Sequence, residues 1–254
     1  MTFIIAEAGV NHGGDLGQAF LLCNAALEAG ANAVKFQHFS SKRLWGDSRI
    51  EHLEMSDAEM ANIAWHCKAI GIEFMCTPFG VPEVEFLAPL VKRIKVASGC
   101  LDRWPLLDAV RDTGKPVIMS TGMADLPRIQ DAIAALGAPT LLHCTSAYPC
   151  PVVDVNLAAM DTLRARWGHA CPVGYSDHTA GIIVALAAVA RGATVLEKHL
   201  TLDRQAEGPD HKASIEPADF RIMVDAIRTI EAAIGSPEKR LQASEAATAQ
   251  AWYG

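Results

Sequence analysis

The chain has 254 residues, half of them hydrophobic, and a formal net charge of -7. That is apolar material for one large core, near the usual length of about 250 residues for a (β/α)8 barrel; without a basic run it argues against a nucleic-acid surface. Seven cysteines, an odd number with no CxxC pair, read as reduced buried thiols of a cytoplasmic protein, residues 1–7 lack the marks of a signal peptide, and the longest apolar run, 180–190, is too short to cross a membrane.

Residues 3–8 predict a short apolar strand that runs into a glycine-rich loop at 9–15. Asp15 is placed as N-cap of a helix over 16–29. Gly30, Ala31 and Asn32 turn the chain into a second strand at 33–36, and a polar insertion follows at 40–54. Ser56, with Glu59 at the capping-box position, opens a helix to Ile70 that Gly71 stops. Strands at 72–76, 93–97, 116–119 and 140–144 then alternate with helices over 81–90, 104–112 and 124–136; Pro82 and Pro105 sit in first turns. A longer loop, 145–154, leads to a helix over 155–166. Strands at 173–176 and 193–196 flank an alanine-rich helix over 180–191, a βαβ unit with parallel strands. Pro217 opens the last helix, ending near Ile234. Eight such alternations, with strands apolar enough to be buried on both faces, predict a single-domain (β/α)8 barrel over 1–235. Residues 236–254 are expected to be a tail, either frayed or part of an interface.

In such a barrel the active site is built on the loops after the strands. Polar residues collect there: Glu7, Asn11 and His12; Lys35 and Gln37; Thr77; Lys95 and Ser98; Ser120 and Thr121; His143, Thr145, Ser146 and Tyr148; Ser176, Asp177 and His178; Glu197, Lys198 and His199. Lys35 and Lys95 supply charge, and Ser98, Ser120, Thr121 and Ser176 supply hydroxyls, for a phosphate and a carboxylate. The competing reading pairs a lysine with Glu7 or Glu197 inside the barrel. His178 and His199, at the ends of adjacent parallel strands, are candidate ligands of one divalent transition metal. Open positions on it would suit Lewis-acid activation of an aldehyde or of water. The competing reading is two unrelated loop histidines. From the residues alone the reaction is a metal-assisted condensation, aldol or isomerase step on small oxygenated acids or sugars.

The motifs Ile5-Ala6-Glu7-Ala8-Gly9-Val10-Asn11-His12, Val34-Lys35-Phe36-Gln37, Lys95-Val96-Ala97-Ser98-Gly99, Ser120-Thr121-Gly122-Met123, the stretch from His143 to Pro149, Tyr175-Ser176-Asp177-His178-Thr179, Glu197-Lys198-His199 and Gly208-Pro209-Asp210-His211 occur in order. Over residues 3–235 they resemble the sialic acid synthase family, the N-acetylneuraminate-type (NeuB-type) synthases. The resemblance implies a barrel that condenses phosphoenolpyruvate with the open-chain aldehyde of an N-acetylmannosamine-like aldose. The products would be a sialic-acid-like 2-keto-3-deoxy sugar acid and phosphate released by C–O cleavage, with Mn2+ as the usual metal. Carried over by position, His178 and His199 are the metal ligands. Lys95, Ser98, Ser120 and Ser176 hold phosphoenolpyruvate, with Lys35, Glu197 and Ser146 beside it. Glu7, Gln37, Tyr148 and Asp210 meet the sugar, with Glu7 as the acid/base candidate.

Where the family usually has an acid after the Ser-Gly pair this chain has Cys100; Asp102 and Arg103 replace Asn-Asn-like positions, and Ser146 replaces an asparagine. The resemblance also implies a homodimer and a C-terminal antifreeze-like domain that supplies an arginine to the sugar. The expectation here is the catalytic barrel only, with Arg103 or a separate partner protein in that role. Two other readings are a metal-dependent aldolase or isomerase acting on a sugar or pyruvate, and a non-catalytic barrel partner in a glycan pathway. Dependence on phosphoenolpyruvate separates the first; the intact His178/His199 and Lys95/Ser98 sets argue against the second.

Overall fold

The computed structural model describes residues 1–254. Its strands are β1 (Phe3–Gly9), β2 (Ala33–His38), β3 (Glu73–Pro78), β4 (Ile94–Val96), β5 (Val117–Ser120), β6 (Thr140–His143), β7 (Val173–Asp177) and β8 (Val195–His199). They pair in parallel in the order β3-β2-β1-β8-β7-β6-β5-β4. β3 and β4 come together to close the ring, but no backbone hydrogen bond joins them. A side-chain pair bridges this seam instead: Arg93 donates to both carboxylate oxygens of Glu73, at 2.7 and 3.3 Å, and stacks 4.4 Å over the Phe3 ring. The architecture is the (β/α)8 barrel expected from the eight alternations.

The helices are α1 (Leu16–Glu28), α2 (Ser41–Trp45), α3 (Asp57–Ile70), α4 (Val81–Leu87), α5 (Trp104–Asp112), α6 (Leu126–Leu136), α7 (Ala159–Trp167), α8 (Ile183–Ala190), α9 (Pro217–Ile234) and α10 (Ala246–Tyr253). Asp15 caps α1 by accepting from Gln18 N, and Ser56 and Glu59 form the expected capping box on α3. Gly71, at φ 88°, ends α3 in a conformation that a residue with a Cβ rarely adopts.

Strand parity divides the core. Ile4, Ala6, Val34, Phe36, Phe74, Val96, Met119, Leu141 and Leu196 belong to the large cluster between strands and helices. Ile5, Ala33, Met75, Ile118, Leu142 and Val195 fill the barrel interior as a separate plug. At Gly174 a Cβ would collide with the Val195 carbonyl and with Leu142, so only glycine lets β7 run past the plug. The inward positions beyond it, toward the C-terminal ends of the strands, are polar.

Several elements differ from their expected bounds: α4 stops at Leu87 rather than Leu90, and β8 runs Val195–His199 rather than 193–196. The helix expected over 155–166 begins at Ala159, because Val152–Asp154 is a 3-10 turn and Asn156 is left-handed at φ 49°, which no helix interior accepts. The helix expected over 180–191 begins at Ile183, after Gly181 at φ 74°. The polar insertion at 40–54 is itself structured: it holds α2 and the turn Glu51–Leu53, and its Leu53 packs with Val10 and Phe39 in a small apolar cluster. In the tail, α10 leaves Trp252 and Tyr253 exposed. All seven cysteines are free and buried. No helix is long and apolar enough to cross a membrane.

Candidate active site

Above the apolar plug lies a cavity of about 520 Å³ at the C-terminal end of the barrel. Glu7, Lys35, Gln37, Lys95, Ser98, Ser120, Ser146, Tyr148, Ser176, His178, Glu197, His199 and Asp210 all line it. They come from strands and from the loops that follow them, so residues far apart in sequence share one space.

The floor is a network of buried charges. Lys35 Nζ lies 2.6 Å from Glu7 Oε2 and 3.7 Å from Glu197 Oε1, and donates to Thr77 Oγ1 at 3.0 Å. Lys35 thus makes an ion pair inside the barrel while it also lines the cavity. Lys95 Nζ donates to Ser120 Oγ at 2.6 Å and to the Val96 carbonyl at 3.2 Å, and is 3.9 Å from Glu197 Oε1. Burial weighs against the charge on Lys35, but Glu197 and Glu7 outweigh it and hold the ammonium above the usual lysine value. Lys95 is pushed below that value by burial, with Glu197 opposing. Burial likewise opposes ionisation of Glu197, yet Lys35 and Lys95 keep its carboxyl below the usual range. Glu7 is pushed up to about 7, by burial first and then by Glu197, against the pull of Lys35. Two buried carboxyls around one pair of lysines thus have opposite tendencies, Glu197 ionised and Glu7 poised near neutrality.

The hydroxyls stand beside this network. Ser176 Oγ donates to Glu197 Oε1 at 3.2 Å, and Ser98 Oγ accepts the Gly122 backbone N–H at 2.9 Å. A Cβ on Gly122 would run into the Ser146, Cys144 and Ser98 side chains, so the backbone approaches the site closely there.

Beside Ser176, whose Oγ lies 3.5 Å from His178 Nε2, the imidazoles of His178 and His199 have ring centres 5.5 Å apart, and the Tyr148 ring lies 4.2 Å from the first and 5.7 Å from the second. His178 Nδ1 donates to the Thr145 carbonyl at 2.7 Å, which leaves the lone pair on Nε2. Burial lowers His178, and burial together with His178 holds His199 well below the usual histidine value, so both rings are neutral. Buried His199 Nδ1 has no hydrogen-bond partner and lies 3.7 Å from Asp210 Oδ2. Burial raises Asp210 to about 6. Two neutral nitrogen donors, with no cluster of three protein ligands ready-made, fit a divalent transition metal that keeps open positions.

Several polar strand-end residues do not reach the cavity. The amide of Asn11 donates to the Leu200 carbonyl and to Ser214 Oγ, His12 Nδ1 accepts from Gly14 N, and His143 Nε2 meets the Val155 carbonyl. Thr121, expected among the anion-binding hydroxyls, donates instead to the Leu142 carbonyl, because it falls one residue past inward-facing Ser120. Asp177 and Lys198 point outward and pair with each other. Cys100 is buried away from the cavity, whereas Arg103 lines it and donates to the Phe79 carbonyl at 3.3 Å. The residues missed from the sequence form the mouth: Phe39, Leu44, Trp45, Arg49, Ile50, Leu53, Phe79 and Met123. Most belong to the 40–54 insertion, where the apolar residues Leu44, Trp45, Ile50 and Leu53 among charged neighbours were the signal to follow.

A model of the NeuB family matches residues 22–239. The chain belongs to the NeuB family. Among NeuB-type relatives, the N,N'-diacetyllegionaminic acid synthase of Campylobacter jejuni is 41% identical over 271 residues, covering 96% of this chain and 80% of that protein. The N-acetylneuraminate-9-phosphate synthase of Homo sapiens is 36% identical over 268 residues, covering 96% and 74%. The crystal structure of the N-acetylneuraminic acid (sialic acid) synthetase from Leptospira borgpetersenii superposes with a TM-score of 0.92 at 37% identity, over 98% of this chain and 90% of that one. NeuB membership therefore places the chain among sugar-acid synthases whose named products differ from one relative to the next.

Proposed function

We propose that this chain condenses phosphoenolpyruvate with the open-chain aldehyde of an N-acetylmannosamine-like aldose, giving a 2-keto-3-deoxy sugar acid and phosphate. The observation that carries this reading is that one cavity holds both a lysine and hydroxyl floor and two buried imidazoles. Lys95 and Lys35 hold the phosphate and carboxylate of phosphoenolpyruvate, and Ser98, Ser120, Ser146 and Ser176 supply hydrogen bonds. His178 and His199 are the residues that would hold Mn2+, which when bound supplies Lewis-acid polarisation of the aldehyde. Tyr148, Gln37 and Asp210 orient the sugar, and Arg103 faces it at the mouth.

Carbon–carbon bond formation joins C3 of phosphoenolpyruvate to the aldehyde carbon, and water then adds at C2. The C2 hydroxyl so formed collapses to the ketone as the C2–O bond to the bridging oxygen breaks, and phosphate leaves with that oxygen and takes up the hydroxyl proton. Glu7, close to neutral pH in its titration, gives a proton to the aldehyde oxygen as the new bond forms. Once ionised, it takes a proton from the water that adds at C2. Holding both substrates in one enclosed space makes the attack effectively unimolecular, and the buried lysines meet the charge of the departing phosphate.

The test is incubation with phosphoenolpyruvate carrying 18O in the bridging position, Mn2+ and a panel of aldoses led by N-acetylmannosamine. Labelled phosphate together with a keto acid whose mass is that of pyruvic acid plus the aldose is expected. Unlabelled phosphate, or equal turnover with pyruvate in place of phosphoenolpyruvate, would sink the reading.

A further inference from the structure

The alternation that aims the site residues inward aims their neighbours outward, and one outward pair stands out. Asp177 and Lys198 are the last rung of the β7–β8 ladder. Lys198 Nζ donates to Asp177 Oδ2 at 2.9 Å, and both side chains are 0% exposed. Asp177 Oδ1 accepts the Thr179 backbone N–H at 2.9 Å, the Thr179 hydroxyl at 2.8 Å and the Tyr175 hydroxyl at 3.3 Å. Lys198 Nζ also donates to the Thr179 carbonyl at 2.5 Å. None of these residues lines the cavity.

Removing two charges from water is unfavourable, and a buried pair is often no more stable than well-packed apolar residues of the same volume. Fold stability alone therefore does not account for it, whereas its position does. Asp177 lies between Ser176 and His178, and Lys198 lies between Glu197 and His199. On the inner face of the preceding rung, Ser176 donates to Glu197. Thr179, held through its N–H, its hydroxyl and its carbonyl, fixes the chain on the far side of His178. We infer that Asp177 and Lys198 are positioning residues, a cross-strand brace that sets the separation and orientation of His178 and His199. The inference rests on the proposed role of these histidines, and its test separates the two.

The test uses the full chain carrying Asp177→Asn with Lys198→Met, which keeps volume and the bond to Thr179 N–H while removing both charges. In metal-free protein labelled with 15N-histidine, the ring signals of His178 and His199, assigned through His178→Gln and His199→Gln, are expected to shift. Those of His12 and His38 stay in place. The thermal midpoint stays within about 5 °C, since the pair is not the source of stability. With metal and substrates, kcat falls by about 10–100-fold, the usual cost of losing an outer support of a ligand. KM for phosphoenolpyruvate changes by less than about threefold, because the losses lie in the chemical step. Unmoved histidine signals and unchanged kcat in the folded double variant overturn the inference. Should the double variant not fold, Lys198→Arg, which keeps the charge and alters its reach, is followed by the same signals: shifted rings support the brace, and unmoved rings overturn it. If the wild-type chain shows no turnover with phosphoenolpyruvate, the proposed function falls, and the histidine signals alone decide whether the brace exists.

Discussion

Lys95 is a buried cation whose only carboxylate neighbour within 4.0 Å is Glu197, at 3.9 Å, and its one short bond goes to Ser120. An incoming anion meets a lysine that is not yet committed, unlike Lys35 with Glu7 at 2.6 Å. Lys95→Ala is expected to raise KM for phosphoenolpyruvate by about 10–100-fold, the loss of one charge-assisted hydrogen bond, with a smaller change in kcat; steady-state kinetics decide it. His199→Ala is expected to abolish turnover while the far-ultraviolet circular dichroism spectrum stays that of the wild type. His12 makes a different prediction. Burial lowers it to about 4, whereas an unfolded histidine titrates near 6.5. Between about pH 6.5 and about 4 the unfolded chain takes up a proton that the folded chain refuses, so this group subtracts stability as the pH falls, by about 3 kcal/mol in all. The stability of the wild type relative to His12→Gln, measured by urea unfolding, is expected to shrink over that window; a constant difference would exclude the effect. The contrast among these residues explains what was legible. Residue type marked out the cavity-lining set, but parity decided membership: Ser120 and Thr121 look alike in sequence, and one strand position sends the second outward. With Glu7 and Glu197 facing inward, parity alone separates Lys198 from His199.

At the scale of the element, β7 shows how a strand is fitted to its neighbours. Gly174 passes so close to Val195 and Leu142 that a methyl group has no room, and the same strand carries Ser176 and ends just before His178. Gly174→Ala is expected to destabilise the fold by about 1–3 kcal/mol through overpacking, and to lower kcat as well, since pushing β7 out of line moves both residues. Thermal unfolding with kinetics on the same sample checks both effects; a stable, fully active variant would mean that the barrel yields there freely. The order and type of the barrel elements were readable because strand runs, caps and glycine stops agree with one another, as at Ser56, Glu59 and Gly71. The parts that were not readable lie where tertiary contacts choose the conformation. Asn156 adopts a left-handed backbone that delays α7, and the insertion at 40–54 gains α2 because Leu44, Ile50 and Leu53 pack with Val10, Phe39 and Phe79 at the cavity mouth. Its charged residues at Lys42, Arg43 and Asp47 hid that apolar side.

Across the whole molecule, the barrel is a rolled sheet with one seam. β3 and β4 form its two edges, and β8 and β7, which carry His199 and end just before His178, are the middle pair of the strand order. Amides of β3 and β4 that face the seam have no ladder partner, so native-state hydrogen exchange is expected to be faster there than in β7 and β8. Arg93→Met, which removes the bond to Glu73, is expected to speed it further; equal protection in all strands would contradict the picture. The seam also separates the two lysines of the cavity floor. Lys35 stands on β2, inside one edge, and Lys95 on β4, which is the other. An anion gripped by both acts as a rivet across the only unlaced line of the barrel. Phosphoenolpyruvate, bound without metal or sugar, would then do mechanical as well as chemical work: it should slow exchange at the seam while leaving β7 and β8, paired on both sides, unchanged.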